Sequence, residues 1–386
     1  MARNALAAAL ALLALLIVPA GAAAAISSIA DAPTWTIGQQ PVEAFAPDGD
    51  RAWVGGNFIN AGPRTGPGAA VDLAGNRIAG YAELTDSTGG LRVDAVTDDG
   101  AGGWYVAGTF TQAAGIARPG LVHLNADGSV DTAFNAQATA GTVRVLTRDG
   151  ALLYVGGTFI SIGGQTRSRL AALDAATGAD TGWDAAVSAG GIVNSIAVDG
   201  GFAWVGGNFT AIGATAVNNA AKVLTGVGVF NADGSWVPQP TATVRAVLAT
   251  ATDIYLGGDF TTVSGTTSPA TNHVSKVDRT LGAPDAAWAP NANGSVLALV
   301  SDGTTLYAGG SFTSFGGATR RGTAATPLAS AGLGAATSWY PGDLNQGGNV
   351  QTLALSGSTV YIGGSFTKFA GGPRAGLAAA PTTGTG

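Results

Sequence analysis

Apolar and polar positions alternate in short runs that return along the whole chain. A valine leads each run: Val42-Glu43-Ala44-Phe45, Val93-Asp94-Ala95-Val96, Val143-Arg144-Val145-Leu146, Val193-Asn194-Ser195-Ile196, Val244-Arg245-Ala246-Val247, Val296-Leu297-Ala298-Leu299 and Val350-Gln351-Thr352-Leu353. Alternation of this kind predicts a half-buried strand. Eleven or twelve residues after each valine an aromatic opens a second apolar run, as in Trp53-Val54-Gly55-Gly56-Asn57-Phe58 and Tyr154-Val155-Gly156-Gly157-Thr158-Phe159. Between the two runs lie Asp48-Gly49, Asp99-Gly100, Asp149-Gly150, Asp199-Gly200, Asp302-Gly303 and Ser356-Gly357. Such pairs suit tight hairpin turns because they tolerate positive φ, so the two runs are expected to pair.

The leading aromatics are Trp53, Tyr105, Tyr154, Trp204, Tyr255, Tyr307 and Tyr361, in steps of 49 to 54 residues. A period of that size marks stacked copies of one supersecondary unit. After the Gly-Gly doublet and Phe, a Gly-rich loop leads to a third apolar run, clearest at Leu121-Val122-His123-Leu124-Asn125 and Leu170-Ala171-Ala172-Leu173-Asp174. A further turn precedes a segment centred on Trp35, Tyr81, Phe134, Trp183, Trp236, Trp288 or Trp339. Four short antiparallel strands per ~50 residues, without an amphipathic helix, describe one propeller blade. The pattern predicts an all-β fold, a seven-bladed β-propeller of four-stranded blades over residues 26–380 with a short tail at 381–386. Ala32-Pro33-Thr34-Trp35 matches a fourth segment, whereas the last repeat stops near Leu377-Ala378-Ala379-Ala380 without one. The N-terminal strand is expected to complete the last blade, which closes the ring and pairs edges left open otherwise.

The run from Leu121 through Ala126-Asp127-Gly128-Ser129-Val130-Asp131 to Phe134 resembles the signature of the delta-60 repeat, a family of exported, mainly bacterial β-propeller repeats. The recurring Tyr-Val-Gly-Gly-x-Phe is similar to repeats of that group and of Rax2-like proteins. The doublet is also similar to Kelch blades, although the Kelch spacing of Tyr and Trp after it is not kept. The resemblance implies the propeller fold and carries no assigned activity.

Composition changes the picture in three ways. Residues 1–25 place Arg3 before an apolar run from Ala5 to Val18, then Pro19 and small residues ending Ala23-Ala24-Ala25. That is the layout of a secretory signal peptide, so the mature chain is expected to be secreted, with no membrane span. The net charge is -6 with three lysines, Lys222, Lys276 and Lys368, which argues against nucleic acid or anionic lipid as partner. Cysteine is absent; disulfides, thiolate metal sites and the Tyr-Cys copper-radical site of galactose-oxidase propellers are excluded.

Catalytic chemistry has little to draw on. Two histidines, His123 and His273, fall in different repeats and registers, and the glutamates are Glu43 and Glu83. The aspartates gather at turns, where turn chemistry accounts for them better than calcium ligation does. One stretch, Ala172 to Trp183, resembles the docking motif of quinoprotein propellers with one extra residue before the Trp. No catalytic residue, metal or cofactor is assigned. Of the 28 aromatics, 21 occupy the three ring positions of the repeats, which makes them core packing between blades and not sugar platforms.

Two polar sets remain as candidate ligand contacts. Glu43, Asp94, Arg144, Asn194, Arg245 and Gln351, with Leu297 as the apolar exception, follow the leading valines. In a propeller they ring the central channel, with pairing such as Asp94 to Arg144 as the structural alternative. Arg118, Arg167, Arg320 and Arg374 each follow the motif Phe by eight residues, and Arg64 by six; they are suited to capping loop carbonyls. The chain reads as a monomeric, non-catalytic binding module for a protein or glycan. A quinoprotein-like oxidoreductase or a carbohydrate-active hydrolase or lyase on the same scaffold is the alternative.

Overall fold

The computed structural model describes residues 40–58, 66–72, 78–86, 90–263, 271–329 and 334–383. The expected signal peptide, the segment around Trp35, Arg64 and the last three residues lie outside the described residues. Every regular element among the described residues is a β-strand.

The predicted hairpins form. Val42–Asp48 pairs with Arg51–Gly56, Val93–Asp98 with Trp104–Gly108, Val143–Asp149 with Leu152–Gly157, and Ile192–Asp199 with Phe202–Asn208. Val244–Ala249 pairs with Asp253–Gly258, Val296–Ser301 with Thr305–Gly310, and Asn349–Ser356 with Thr359–Ser365. We number these hairpins as repeats 1 to 7. Gly49, Gly150 and Gly357 stand at the first loop position with φ of +58, +57 and +54°, the torsion that such a two-residue turn demands. A third strand joins the far side of each second strand: Gly68–Asp72, Leu121–Leu124, Leu170–Asp174, Ala220–Leu224, Val274–Asp278, Thr323–Pro327 and Leu377–Pro381. Second strands are buried almost end to end because sheets cover both of their faces.

The fourth strand departs from expectation. Among the described residues it is regular only in repeat 3, as Asp180–Asp184. In repeats 2, 4 and 5 it is a single bridge, Leu124 to Val130, Val223 to Ala232 and Val277 to Pro284. There the side chains of Asp131, Asp233 and Asp285 accept the backbone N–H two residues on, at 2.9, 3.0 and 3.0 Å. These local turns compete with the ladder for the backbone donors. The aromatic three residues after each aspartate is nevertheless buried in place: Phe134, Trp236 and Trp288.

Those aromatics tie one sheet to the next. The indole N–H groups of Trp183, Trp236, Trp288 and Trp339 donate to the carbonyls of Leu224, Asp278, Pro327 and Pro381 at 2.8 to 2.9 Å. Each acceptor is the last residue of the following repeat's third strand. The same indoles stand edge-on to Tyr154, Trp204, Tyr255 and Tyr307, with centroids 4.9 to 5.3 Å apart. Repeat 7 in turn meets repeat 1. Tyr361 stacks on Phe45 at 5.0 Å, and Val42, Phe45, Tyr361 and Leu377 share one apolar cluster.

Candidate functional site

In six repeats the two glycines of the doublet shape the start of the first strands, and in repeat 2 Ala107 takes the place of the first glycine. A Cβ on the first would lie 2.3 to 2.8 Å from a side-chain carbon of the next repeat's leading valine, as at Gly55 against Val93, Gly156 against Val193 and Gly363 against Val42. A Cβ on the second would lie 2.0 to 2.2 Å from a backbone carbonyl just before its own repeat's leading valine, as at Gly157 against Thr142 and Gly258 against Thr243. Glycine leaves room for both approaches.

Opposite the doublet, each first strand carries a register shift. It falls between Val42 and Ala44, Val93 and Ala95, Val143 and Val145, Val193 and Ser195, Val244 and Ala246, Val296 and Ala298, and Val350 and Thr352. The skipped residue is in every case the member of the proposed ring. A bulge leaves its extra residue unpaired and re-aims the side chain. As a result Glu43, Asp94, Arg144, Asn194, Arg245, Leu297 and Gln351, with Arg92, line one cavity of about 340 Å³.

Within the cavity the charges are unevenly paired. Arg92 holds Asp94 at 2.6 Å and Glu43 at 3.3 Å, so the expected pairing of Asp94 with Arg144 is corrected: the nearer cation comes from the residue before the leading valine. Arg92 escaped the sequence reading because the other repeats place an uncharged residue at its position. Arg245 turns to Asp259, donating at 3.0 and 2.7 Å. Asp259 is the variable residue of its Gly-Gly-x-Phe motif, a recurrent polar position that could have flagged it. Asn194 donates to the Val244 carbonyl at 3.4 Å. Three buried atoms on the wall lack a hydrogen bond, Nε of Arg92, Nε of Arg144 and Oε1 of Gln351; the first is held by its ion pairs and the other two have no partner. Burial pushes the Glu43 carboxyl up to about 7, with Arg92 opposing and the charge and hydrogen bond of Asp94 adding to the rise.

The arginine set lies elsewhere. After the second strand, the loop expected to be irregular folds in several repeats into a minute hairpin, for example Ser161–Ile162 with Gln165–Thr166 and Ser314–Phe315 with Ala318–Thr319. The arginine follows directly, and in each case one guanidinium N–H donates to the preceding carbonyl: Arg118 to Ala117, Arg167 to Thr166, Arg320 to Thr319 and Arg374 to Pro373, at 2.8 to 3.0 Å. Arg118 and Arg320 reach on to the carbonyls of Thr132 and Thr337 at 3.2 and 2.8 Å, whereas Arg167 grips Asp180 with two bonds at 2.9 and 2.6 Å. Arg118, Arg167 and Arg320 therefore fasten the fourth segments of repeats 2, 3 and 6, and none of the four described arginines lines the cavity.

Comparison with known proteins agrees with this geometry. Residues 102–134 match a family described as a domain of unknown function (DUF5122) beta-propeller, a stretch that includes the Leu121 to Phe134 signature. YCF48 bound to D1 peptide superposes with a TM-score of 0.53 at 10% identity over 91% of this chain and 95% of that one. The WD40 beta propeller domain of Doa1 gives 0.52 at 10% identity, covering 90% and 94%. The chain is a β-propeller. The computationally designed Ika8 protein is similar at a TM-score of 0.50 and 9% identity, covering 90% of this propeller and 98% of the designed chain. No curated protein matches the sequence.

Proposed function

We propose that this protein is an exported, monomeric, seven-bladed propeller that binds a protein or glycan without chemical turnover, using the cavity walled by the seven bulge residues. The carrying observation is the pair of buried, partnerless atoms on that wall, Arg144 Nε and Gln351 Oε1. Buried polar groups are ordinarily satisfied, so a donor and an acceptor left open in one cavity are a demand for a ligand that offers both. YCF48 is a precedent for a peptide as the ligand of a chain of this fold. Ring closure belongs to the same proposal. The indole bonds run from one repeat to the next up to Trp339 on Pro381, and Trp35 is the next residue of that series in the cyclic order. We infer from that series that the segment around Trp35 completes the last blade along Leu377–Pro381.

The test is an array of peptides and oligosaccharides probed with residues 26–386. The double variant Arg144→Ala, Gln351→Ala should lose at least about tenfold in affinity, the scale of one charge-assisted hydrogen bond. Undiminished binding would remove the cavity from the proposal.

One observation supports a catalytic reading as well: Glu43 lies beside Asp94 in the cavity and its carboxyl is raised to about 7, where a general acid or base works best near neutral pH. A turnover screen on glycosides, with Glu43→Gln, Asp94→Asn as control, decides it. Turnover abolished in that variant would replace binding by catalysis.

A further inference from the structure

At the opposite end of the first strands from the bulge residues, neighbouring repeats leave clefts beside their hairpin turns, and in two of these clefts an arginine lies over an indole. Between repeats 4 and 5, Arg279 lies over Trp204 with its guanidinium carbon 5.0 Å from the ring centroid. It pairs with Asp199 at 2.5 Å and donates to the Thr250 carbonyl. Lys222 sits in the same cleft, 4.3 Å over Phe202 and 3.2 Å from Asp233. Between repeats 1 and 2, Arg51 lies 5.2 Å over Trp104 and donates to the carbonyls of Gly102 and Ala126, each at 3.1 Å. The flat guanidinium covers a ring and spends its N–H groups on backbone oxygens at the rim, a geometry that an ammonium cannot copy.

The cleft between repeats 5 and 6 has the same plan with one part changed. Tyr255 faces Lys276 across the strands as Trp204 faces Lys222, and Asp285 stands where Asp233 stands, three residues before the tryptophan of its repeat. Lys276 lies 3.6 Å from Asp253 and 3.3 Å from Asp285, one ammonium beside two carboxylates, and the sibling cleft sets Lys222 beside Asp233 and Arg279 beside Asp199. The first residue after the third strand is Arg279 in repeat 5 and Leu328 in repeat 6. In place of a guanidinium there is a cavity of about 590 Å³, walled by Thr250, Asp253, Lys276, Ser301 and Leu328 among others. Burial and then the charges of Asp253 and Asp285 push the Tyr255 hydroxyl upward, consistent with a negative potential inside.

We propose that this cleft receives an arginine side chain presented by a protein partner. The chain supplies its own template for the complex in Arg279, and the shape and charge of the cleft between repeats 5 and 6 call for the same group from outside. The site lies on the hairpin-turn face and is independent of the cavity at the bulges.

The experiment is NMR titration of residues 26–386 with N-acetyl-arginine methylamide, its citrulline counterpart and agmatine. Saturable shifts of the Asp253, Ser301 and Leu328 amides are expected with the arginine probe and not with the uncharged citrulline. Leu328→Arg, which installs the sibling's own plug, should abolish them, and Asp253→Asn should weaken binding by about tenfold, the loss of one charged partner. Arg279→Ala serves as positive control, because it opens the sibling cleft and should add a second set of shifts at Asp199 and Thr250. Absence of saturable shifts in the wild-type protein, or shifts unchanged in Leu328→Arg, would overturn the proposal. Tighter binding of agmatine than of the arginine amide would also overturn it, by assigning the cleft to a free guanidine.

Discussion

Glu43 shows how much one position in a repeat can differ from its equivalents. The bulge turns the residue into the cavity whatever its type, and what happens next depends on its neighbours. Arg245 finds Asp259, Asp94 finds Arg92, and Glu43 is left at the edge of that pair with its carboxyl raised from 4.5 to about 7. A raised carboxyl means that the folded state binds the proton more tightly than the unfolded chain does. The stability this group contributes is complete below about pH 4.5 and is lost as pH rises through about 7. Glu43→Gln stays neutral, and we expect it to be on the order of 2 kcal/mol more stable than wild type at pH 8, with little difference near pH 4.5. Urea denaturation at both pH values measures this, and a variant with the wild-type pH slope would show that Glu43 is not the titrating group. Asp99, Asp278 and Asp302 work in the opposite direction. Burial raises them, but backbone N–H donors outweigh it and hold all three below the usual 3.8. Their contribution is present above that value and is lost on acidification.

The blade element depends on two adjacent glycines with different duties. The first admits the next repeat's valine, and the second admits a carbonyl of its own strand. Neither duty concerns φ, so substitution is costly for steric reasons alone. Gly157→Ala, with its Cβ 2.0 Å from the Thr142 oxygen, should cost more than about 3 kcal/mol, as overpacking against rigid backbone does. Gly164 is the comparison: it has φ of +80° with nothing near its missing Cβ, so Gly164→Ala should cost only about 1–2 kcal/mol, the strain of a left-handed alanine. Equilibrium urea curves on both variants check the ratio, and equal losses would show that the doublet is there for flexibility and not for approach. The doublet, the hairpins and the burial of the ring positions were all legible in the chain. The bulge was not, because an extra residue in an alternating run looks like ordinary alternation until its partner strand is known. The missing regularity of the fourth strand was equally hidden, since the Asp131, Asp233 and Asp285 side chains only compete for the ladder once the turn has formed.

At the scale of the molecule, side chains join the sheets, with short backbone ladders added where Trp183 and Asp184 pair with Gly228 and Val229 and where Leu84 and Thr85 pair with Ala113 and Gln112. Four indole bonds link successive repeats, and each of those indoles stands edge-on to the leading aromatic of its own repeat, so the stability of one repeat depends on its neighbours. Between repeats 7 and 1, Phe45 against Tyr361 and Val42 against Gly363 supply the junction among the described residues. If Trp35 continues the indole series there, a chain of residues 40–386 should unfold several degrees below one of residues 26–386. Trp35→Phe, which keeps the ring and removes the N–H, should cost about 1 kcal/mol, the net worth of one hydrogen bond. Calorimetry of the two proteins decides it, and a deletion without thermal effect would leave the ring to hold by its side-chain junction alone.

By itself the sequence determined the repeat, its period, the pairing of its first two strands, the buried aromatic positions and the seven residues that the bulges gather. These follow from spacing and residue type, which act over a few residues and are written along the chain. Only the tertiary structure decided who pairs with whom: Arg92 instead of Arg144 as the partner of Asp94, Asp259 as the partner of Arg245, and Arg279 in one cleft where the next has Leu328. Such pairings join residues in different strands or different repeats, and their energies depend on distances of a few ångströms that no linear pattern encodes.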